Sequence, residues 1–189
     1  YVMPSLDHWV IEETLRLCQR YFESGNEMHC LFGVNLSGAS LKDPAFRDML
    51  LARLEANPAL GQHLCFEITE TAAIGNLSVV NAFIETMRGF GCSFALDDFG
   101  SGLSSFNYLK NLNVDYLKID GAFVRDIVTN PVDRSMVDAV HRIGRQLGLR
   151  TVAEYVESDA ILAMLRQIGV DYVQGNGIHA PEPLETLCG

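Results

Sequence analysis

Residues 92–102 read Cys-Ser-Phe-Ala-Leu-Asp-Asp-Phe-Gly-Ser-Gly. A short apolar run, long enough for one strand, stops at two adjacent carboxylates and two glycines. The same layout recurs along the chain. Short apolar runs rich in β-branched and aromatic residues predict strands over 31–36, 63–68, 92–97, 115–119, 149–153 and 170–174. Turn residues bound each run, and helical periodicity fills the intervals, over 6–22, 43–56, 76–89, 132–147 and 157–168, with shorter pieces near 104–110 and 121–128. Strands alternating with amphipathic helices imply βα units and a parallel sheet with helices outside.

Where the polar residues fall decides between an open and a closed sheet. Asn35, Glu67, Asp97 with Asp98, Lys118, Glu154 and Gln174 each interrupt or end a different predicted strand, always toward its C-terminal end. An open sheet gathers ligands mainly at one switch point, whereas a barrel presents the ends of all its strands to one site. The expected fold class is therefore α/β, a TIM-like (β/α) barrel. A complete barrel of this kind has eight strands in about 250 residues, so two strands are unaccounted for here. Residues 1–22 read as a turn leading into a helix, and the expectation is a single domain over 1–189 that lacks its first strands at the N-terminus.

Composition narrows the function. With 189 residues, 48% of them hydrophobic, the chain can bury one sizeable core but not comfortably two. A net charge of −10 leaves no basic stripe for a nucleic-acid polymer. A phosphate ester would have to be held through metal ions or local donors. Cys18, Cys30, Cys65, Cys92 and Cys188 are odd in number and have no CxxC spacing, which fits cytosolic thiols better than a disulfide frame. No apolar run approaches the roughly 20 residues of a membrane-spanning helix. The expected location is cytoplasmic, in a domain that could belong to a membrane-anchored protein.

Asp97 and Asp98 repel each other and lose solvation at the end of an apolar strand, so they need a counter-charge. A pair of divalent cations answers that need, one carboxylate bridging while its neighbour serves the second ion. The alternative is that one Asp caps the following loop. Strand alternation puts Glu67 and Thr69 on one face, where Glu67 would look toward the barrel axis, while Glu70 braces a loop. A solvated surface position is the alternative for both. Asn35 offers a neutral oxygen ligand or simply forms a turn. Lys118, between Leu117 and Ile119, must meet a carboxylate or a phosphate, and a structural salt bridge would also satisfy it. Glu154 and Glu157 straddle a strand end, where a helix N-terminus would also favour them. Gln174 could orient water or a base edge. His8, His29, His63, His141 and His179 show no metal spacing, so oxygen-rich ligation points to Mg²⁺ or Mn²⁺ rather than zinc. Lys110 and Arg125 read as surface residues.

Taken in order, Asn35-Leu36-Ser37-Gly38, Phe66-Glu67-Ile68-Thr69-Glu70, Asp97-Asp98-Phe99-Gly100-Ser101-Gly102, Leu117-Lys118-Ile119-Asp120, Ala153-Glu154-Tyr155-Val156-Glu157 and Gln174-Gly175 resemble the successive signatures of the EAL phosphodiesterases, over about residues 4 to 184. Six ordered motifs are far more specific than any one. The resemblance implies hydrolysis of the bacterial second messenger cyclic di-GMP to linear pGpG with two Mg²⁺ or Mn²⁺ ions, by in-line attack of metal-activated hydroxide. It implies metal ligation by Asn35, Glu67, Asp97, Asp98, Glu154 and Glu157. Lys118 would orient the attacking water and offset charge, and Glu70 would anchor the loop over 99–105. Gln174, Ser37 and Asp120 would contact substrate. It also admits a homodimer and implies a larger multidomain signalling protein with GGDEF, PAS or similar domains.

Three features depart from the family pattern. The Glu-Ala-Leu segment that names the family is absent from this chain, Tyr155 stands where glycine is common, and Asn176 replaces a tyrosine after Gln-Gly. The competing readings are a catalytically impaired cyclic di-GMP receptor, an enolising metal-dependent barrel acting on a carboxylic acid, and a dimerisation or regulatory module. Retention of Asn35, Glu67, Asp97, Asp98, Lys118 and Glu154 argues against decay of the site.

Overall fold

A computed structural model describes residues 3–23, 30–100, 107–183 and 186. The chain packs as two compact units, residues 1–94 with 182–189 and residues 95–181.

In the first unit, helix α1 (Met3–Glu23) buries Asp7, Ile11, Thr14, Leu15 and Cys18, the spacing of one helical face. Strand β1 (Phe32–Leu36) lies parallel to β2 (Leu64–Thr69), with Val34 opposite Phe66 and Asn35 opposite Glu67. Val34 and Leu36 are buried while Gly33 and Asn35 face outward, so alternation divides a core face from an open face. Between these strands runs α2 (Pro44–Ala56), started by Asp43, whose carboxylate accepts the Ala45 N–H at 2.9 Å, and by Pro44 in the first turn. Both are strong helix-start signals. After β2 come α3 (Glu70–Gly75) and α4 (Leu77–Arg88). Phe66, Phe83 and Phe94 form the centre of this core, with ring centroids 5.6 to 6.1 Å apart. Such separations suit offset and edge contacts between rings.

Strand β3 (Ser93–Phe99) enters the second unit at Ala95. There it pairs in parallel with β4 (Tyr116–Ile119), β4 pairs with β5 (Arg150–Ala153), and β5 with β6 (Tyr172–Val173). The connections carry α5 (Gly121–Val124), α6 (Pro131–Gln146) and α7 (Asp159–Ile168). Asn130 caps α6 by accepting the Val132 N–H at 2.9 Å, and Ser158 caps α7. Leu96, Leu117, Ile119, Val137, Ala153 and Leu165 are fully buried. Gly144 interrupts α6 because a Cβ there would lie 2.9 Å from the Thr151 side chain, so the helix can approach β5 closely.

All six predicted strands and the five longer helices are present within one to three residues of their expected bounds. Residues 104–106 of the piece expected near 104–110 lie outside the described residues, and its end is a single 3-10 turn, Leu109–Asn111. Among the described residues, no helix is long and apolar enough to cross a membrane.

Candidate active site

The register of β3 against β4 builds the site. Leu96 pairs with Leu117 and Phe99 with Ile119. Between these pairs β3 therefore carries Asp97 and Asp98 where β4 carries Lys118 alone. The extra residue makes a β-bulge, a device that re-aims side chains beside functional sites. Its backbone signature is Asp98 at φ +55°, a left-handed conformation that Asp tolerates better than most residues. The Asp98 N–H donates to Asp97 Oδ1 at 3.0 Å.

Lys118 is 4% exposed. Its Nζ donates to Asp97 Oδ1 at 3.0 Å and to Glu154 Oε1 at 2.8 Å. Ile119 pairs with Ala153, which sets Glu154 just past the end of β5 and level with this point. A buried ammonium must be paired in this way, and the pairing satisfies the salt-bridge reading of Lys118. One carboxylate oxygen each from Asp97, Asp98 and Glu154 lie within 4.8 Å of one another. Asp97 and Glu154 thus share the Lys118 ammonium, with the Asp98 carboxylate close beside them. Lost solvation beside the neighbouring groups pushes the carboxyl of the exposed Asp98 up from the usual carboxylate range, and the charges of Asp97 and Asp120 push the same way against the pull of Lys118. A close group of hard oxygen donors carrying excess negative charge has the chemistry that Mg²⁺ or Mn²⁺ requires.

Three other expected site residues of this unit lie outside that group of three. Asp120 caps α5, its Oδ1 accepting the Ala122 N–H at 2.8 Å. Glu157 is exposed. Gln174 is held through its main chain, its N–H donating to Ala153 O at 2.8 Å and its carbonyl accepting from Val156 N–H at 3.0 Å, while the residue itself is exposed. Gly175, at φ +155°, has no room for a Cβ against the Val156 backbone.

In the first unit, Asn35 and Glu67 are register partners on the open face of β1 and β2. Gly33 lies two residues before Asn35 on that face, and a Cβ there would collide with the Glu67 carboxylate. A glycine inside a strand pattern signals such close approach, and it escaped the sequence reading. Ser37 is bound into a turn: its N–H donates to Asp7 Oδ2 at 2.8 Å and its hydroxyl lies 3.1 Å from that of Ser40. Asp7 also accepts the Ser40 hydroxyl at 2.7 Å, a buried tie with no signal in the local sequence. Glu70, 3% exposed, is the first residue of α3. In the loop it was expected to anchor, residues 101–105 lie outside the described residues.

A family described as the EAL domain matches residues 1–181. The chain is 39% identical to the cyclic di-GMP phosphodiesterase PdeB of Shewanella oneidensis over 190 residues, covering 99% of this chain and 22% of PdeB. It spans about a quarter of the length of the curated relatives it matches. Among solved structures, the EAL domain of Mycobacterium smegmatis DcpA superposes with a TM-score of 0.91 at 27% identity, covering all of this chain and 84% of that one. The Pseudomonas aeruginosa MucR phosphodiesterase in complex with cyclic di-GMP gives 0.87 at 31% identity, over 97% of this chain and 74% of that one. The fold class read from the sequence is thereby shown: six parallel strands with helices, part of a TIM-like barrel.

Proposed function

Because this chain belongs to the EAL domain family, we propose that it is a phosphodiesterase unit hydrolysing cyclic di-GMP to linear pGpG with two Mg²⁺ or Mn²⁺ ions. The observation that carries the proposal is the close group of Asp97, Asp98 and Glu154, two of which also pair with the buried Lys118. No polymer-binding basic surface is needed for a small dianionic substrate; what is needed is local positive charge inside an acidic protein.

Asp97, Asp98 and Glu154 are the oxygen donors proposed to hold the ions; Glu157, Asn35 and Glu67 are assigned as further ligands by the family resemblance alone. Bound divalent ions supply Lewis-acid polarisation of the phosphoryl oxygens and ready a water for attack. Lys118, held by two carboxylates, provides a fixed positive charge to offset the charge that develops on the phosphoryl group. Because its partners orient it beforehand, little reorganisation is required when that charge appears. Gln174, Ser37 and Asp120 are assigned to the substrate and Glu70 to the loop over 99–105, in line with the family resemblance. By the same resemblance the unit works inside a larger multidomain signalling protein in the cytoplasm.

The test incubates the chain with cyclic di-GMP and Mn²⁺ or Mg²⁺ and follows pGpG by chromatography. Metal-dependent product that disappears in Asp97→Asn supports the proposal. Binding of cyclic di-GMP without product would favour a receptor instead, and absence of both would sink the two readings together.

A further inference from the structure

Tyr155 follows Glu154 directly and has φ +55°. That conformation favours glycine, and an aromatic residue holds it only where surrounding contacts over-determine it. The residue is also 48% exposed, so burial does not supply the compensation. Two contacts do. Gly121, the first residue of α5, has no side chain, and a Cβ there would lie 2.6 Å from Cγ and 2.9 Å from Cε2 of the Tyr155 ring. The ring occupies the space that glycine leaves. Arg125, whose N–H donates to Gly121 O at 3.0 Å, lies one turn further on and sets its guanidinium carbon 4.2 Å from the ring centroid. That distance is well inside cation–π range.

The clasp joins two strand ends that matter. Helix α5 continues directly from β4, which carries Lys118, through the cap Asp120. Tyr155 continues directly from Glu154 at the end of β5. The clasp of Tyr155 on Gly121 and Arg125 therefore ties together the two chain segments whose side chains meet in the 2.8 Å Lys118–Glu154 pair. On the far side, the Val156 N–H donates to Gln174 O at 3.0 Å, so Glu154 has a fixed chain on both flanks.

We propose that Tyr155, clasped between Gly121 and Arg125, is a positioning residue that holds Glu154 against Lys118 and beside Asp97 and Asp98. A glycine at 155 would adopt the backbone without strain but would leave Glu154 untied. The inference rests on the reading that this carboxylate group takes divalent ions.

The experiment measures Mn²⁺ binding to the full chain by calorimetry, alongside thermal melting. Outer-shell supports of a metal site are worth about 10- to 100-fold in affinity. Tyr155→Gly and Gly121→Ala are each expected to weaken Mn²⁺ binding by about tenfold, the first without loss of melting temperature because it relieves the backbone. Tyr155→Phe, which keeps the ring, should bind as the native chain does. The double variant should bind no more weakly than either single one, since one clasp is lost only once. Native affinity in Tyr155→Gly, with clear weakening in Glu154→Gln, would overturn the clasp while leaving the ion site intact. Unchanged binding in Glu154→Gln would overturn the ion site and the clasp with it.

Discussion

Strands β4 and β5 have two ends of opposite character. At the C-terminal end, Lys118 and Glu154 meet Asp97 and Asp98 across a bulge, with two non-glycine residues at positive φ. At the N-terminal end, Thr151 is fully buried and its hydroxyl joins His141 Nδ1 at 2.7 Å to Asp171 Oδ2 at 2.9 Å. Asp171 also accepts the Thr151 N–H at 2.8 Å. A carboxylate only accepts, so the hydroxyl donates to it and receives the imidazole N–H. One end gathers surplus charge and strained backbone. The other closes its hydrogen bonds locally, with burial holding the His141 ring below the usual histidine range despite the opposing charge of Asp171. In barrels of this type, the first kind of end serves chemistry and the second serves stability, so substitutions at the two ends should separate in what they change.

The largest effect is expected at Lys118. Lys118→Met leaves Asp97 and Glu154 with no ammonium between them, and breaking a buried charge network costs about 3–5 kcal/mol. Urea unfolding with a chelator present should show that loss, Mn²⁺ should recover part of it by binding the folded state, and pGpG formation should vanish. A loss under about 1 kcal/mol, the scale of a surface pair, would mean that the lysine does not organise the group. At the opposite end, Thr151→Val removes the hydroxyl that meets the buried His141 ring, and an unsatisfied buried polar group costs about 1–3 kcal/mol. With His141 as the one buried partner left without the hydroxyl, the melting point should fall while turnover per folded molecule stays at the native level. Impaired turnover in that variant would erase the distinction between the ends.

The asymmetry was partly legible in the sequence. Asp97, Asp98, Lys118 and Glu154 stood out because each broke an apolar run, and the structure brings these four together. Their arrangement was not legible, since a bulge arises from the mismatch of two strands, and neither strand carries a mark of it. Helix α3 was missed because six residues capped by Thr69 are too short to show a helical period. Glu157 was grouped with Glu154 by its position near a strand end. The positive φ at Tyr155 turns the chain there, so alternation no longer governs the residues beyond it. The meeting of Tyr155 with Gly121 joins residues far apart in sequence, and only the fold reveals why position 121 lacks a side chain.

Acid should probe the two ends with opposite signs. His141 has a folded-state pKa below its unfolded one, so the unfolded chain takes up the proton first. Stability at that end is complete above about pH 6.5 and declines as pH falls below it. Asp171 adds to this at lower pH. Desolvation pulls its carboxyl up, but the hydrogen bonds from Thr151 and the charges of His141 and Arg145 outweigh it and hold the group below the usual carboxylate range. Its contribution is lost as pH falls through that lowered value. Urea midpoints between pH 7 and 5 should fall for the native chain, and the slope should flatten in His141→Gln. An unchanged slope would remove His141 as the cause.

Asp98 works the other way, and its effect should be the smallest. Its pKa is raised, so the metal-free folded chain binds that proton more readily than the unfolded chain does, and stability from this group is lost as pH rises through the folded value. Asp98→Asn removes the repulsion from Asp97 and Asp120 and keeps a side chain that accepts positive φ. Asp98 is exposed, so the gain should be modest, roughly 0.5 kcal/mol at neutral pH without metal, as for other exposed charges. The same variant should lose pGpG formation, because an amide cannot supply the second carboxylate. A protein that becomes slightly more stable and inactive on losing one charge carries that charge for function. If Asp98→Asn were instead less stable without metal, the carboxylate would be serving the bulge, and the contrast between the two ends would rest on Lys118 and Glu154 alone.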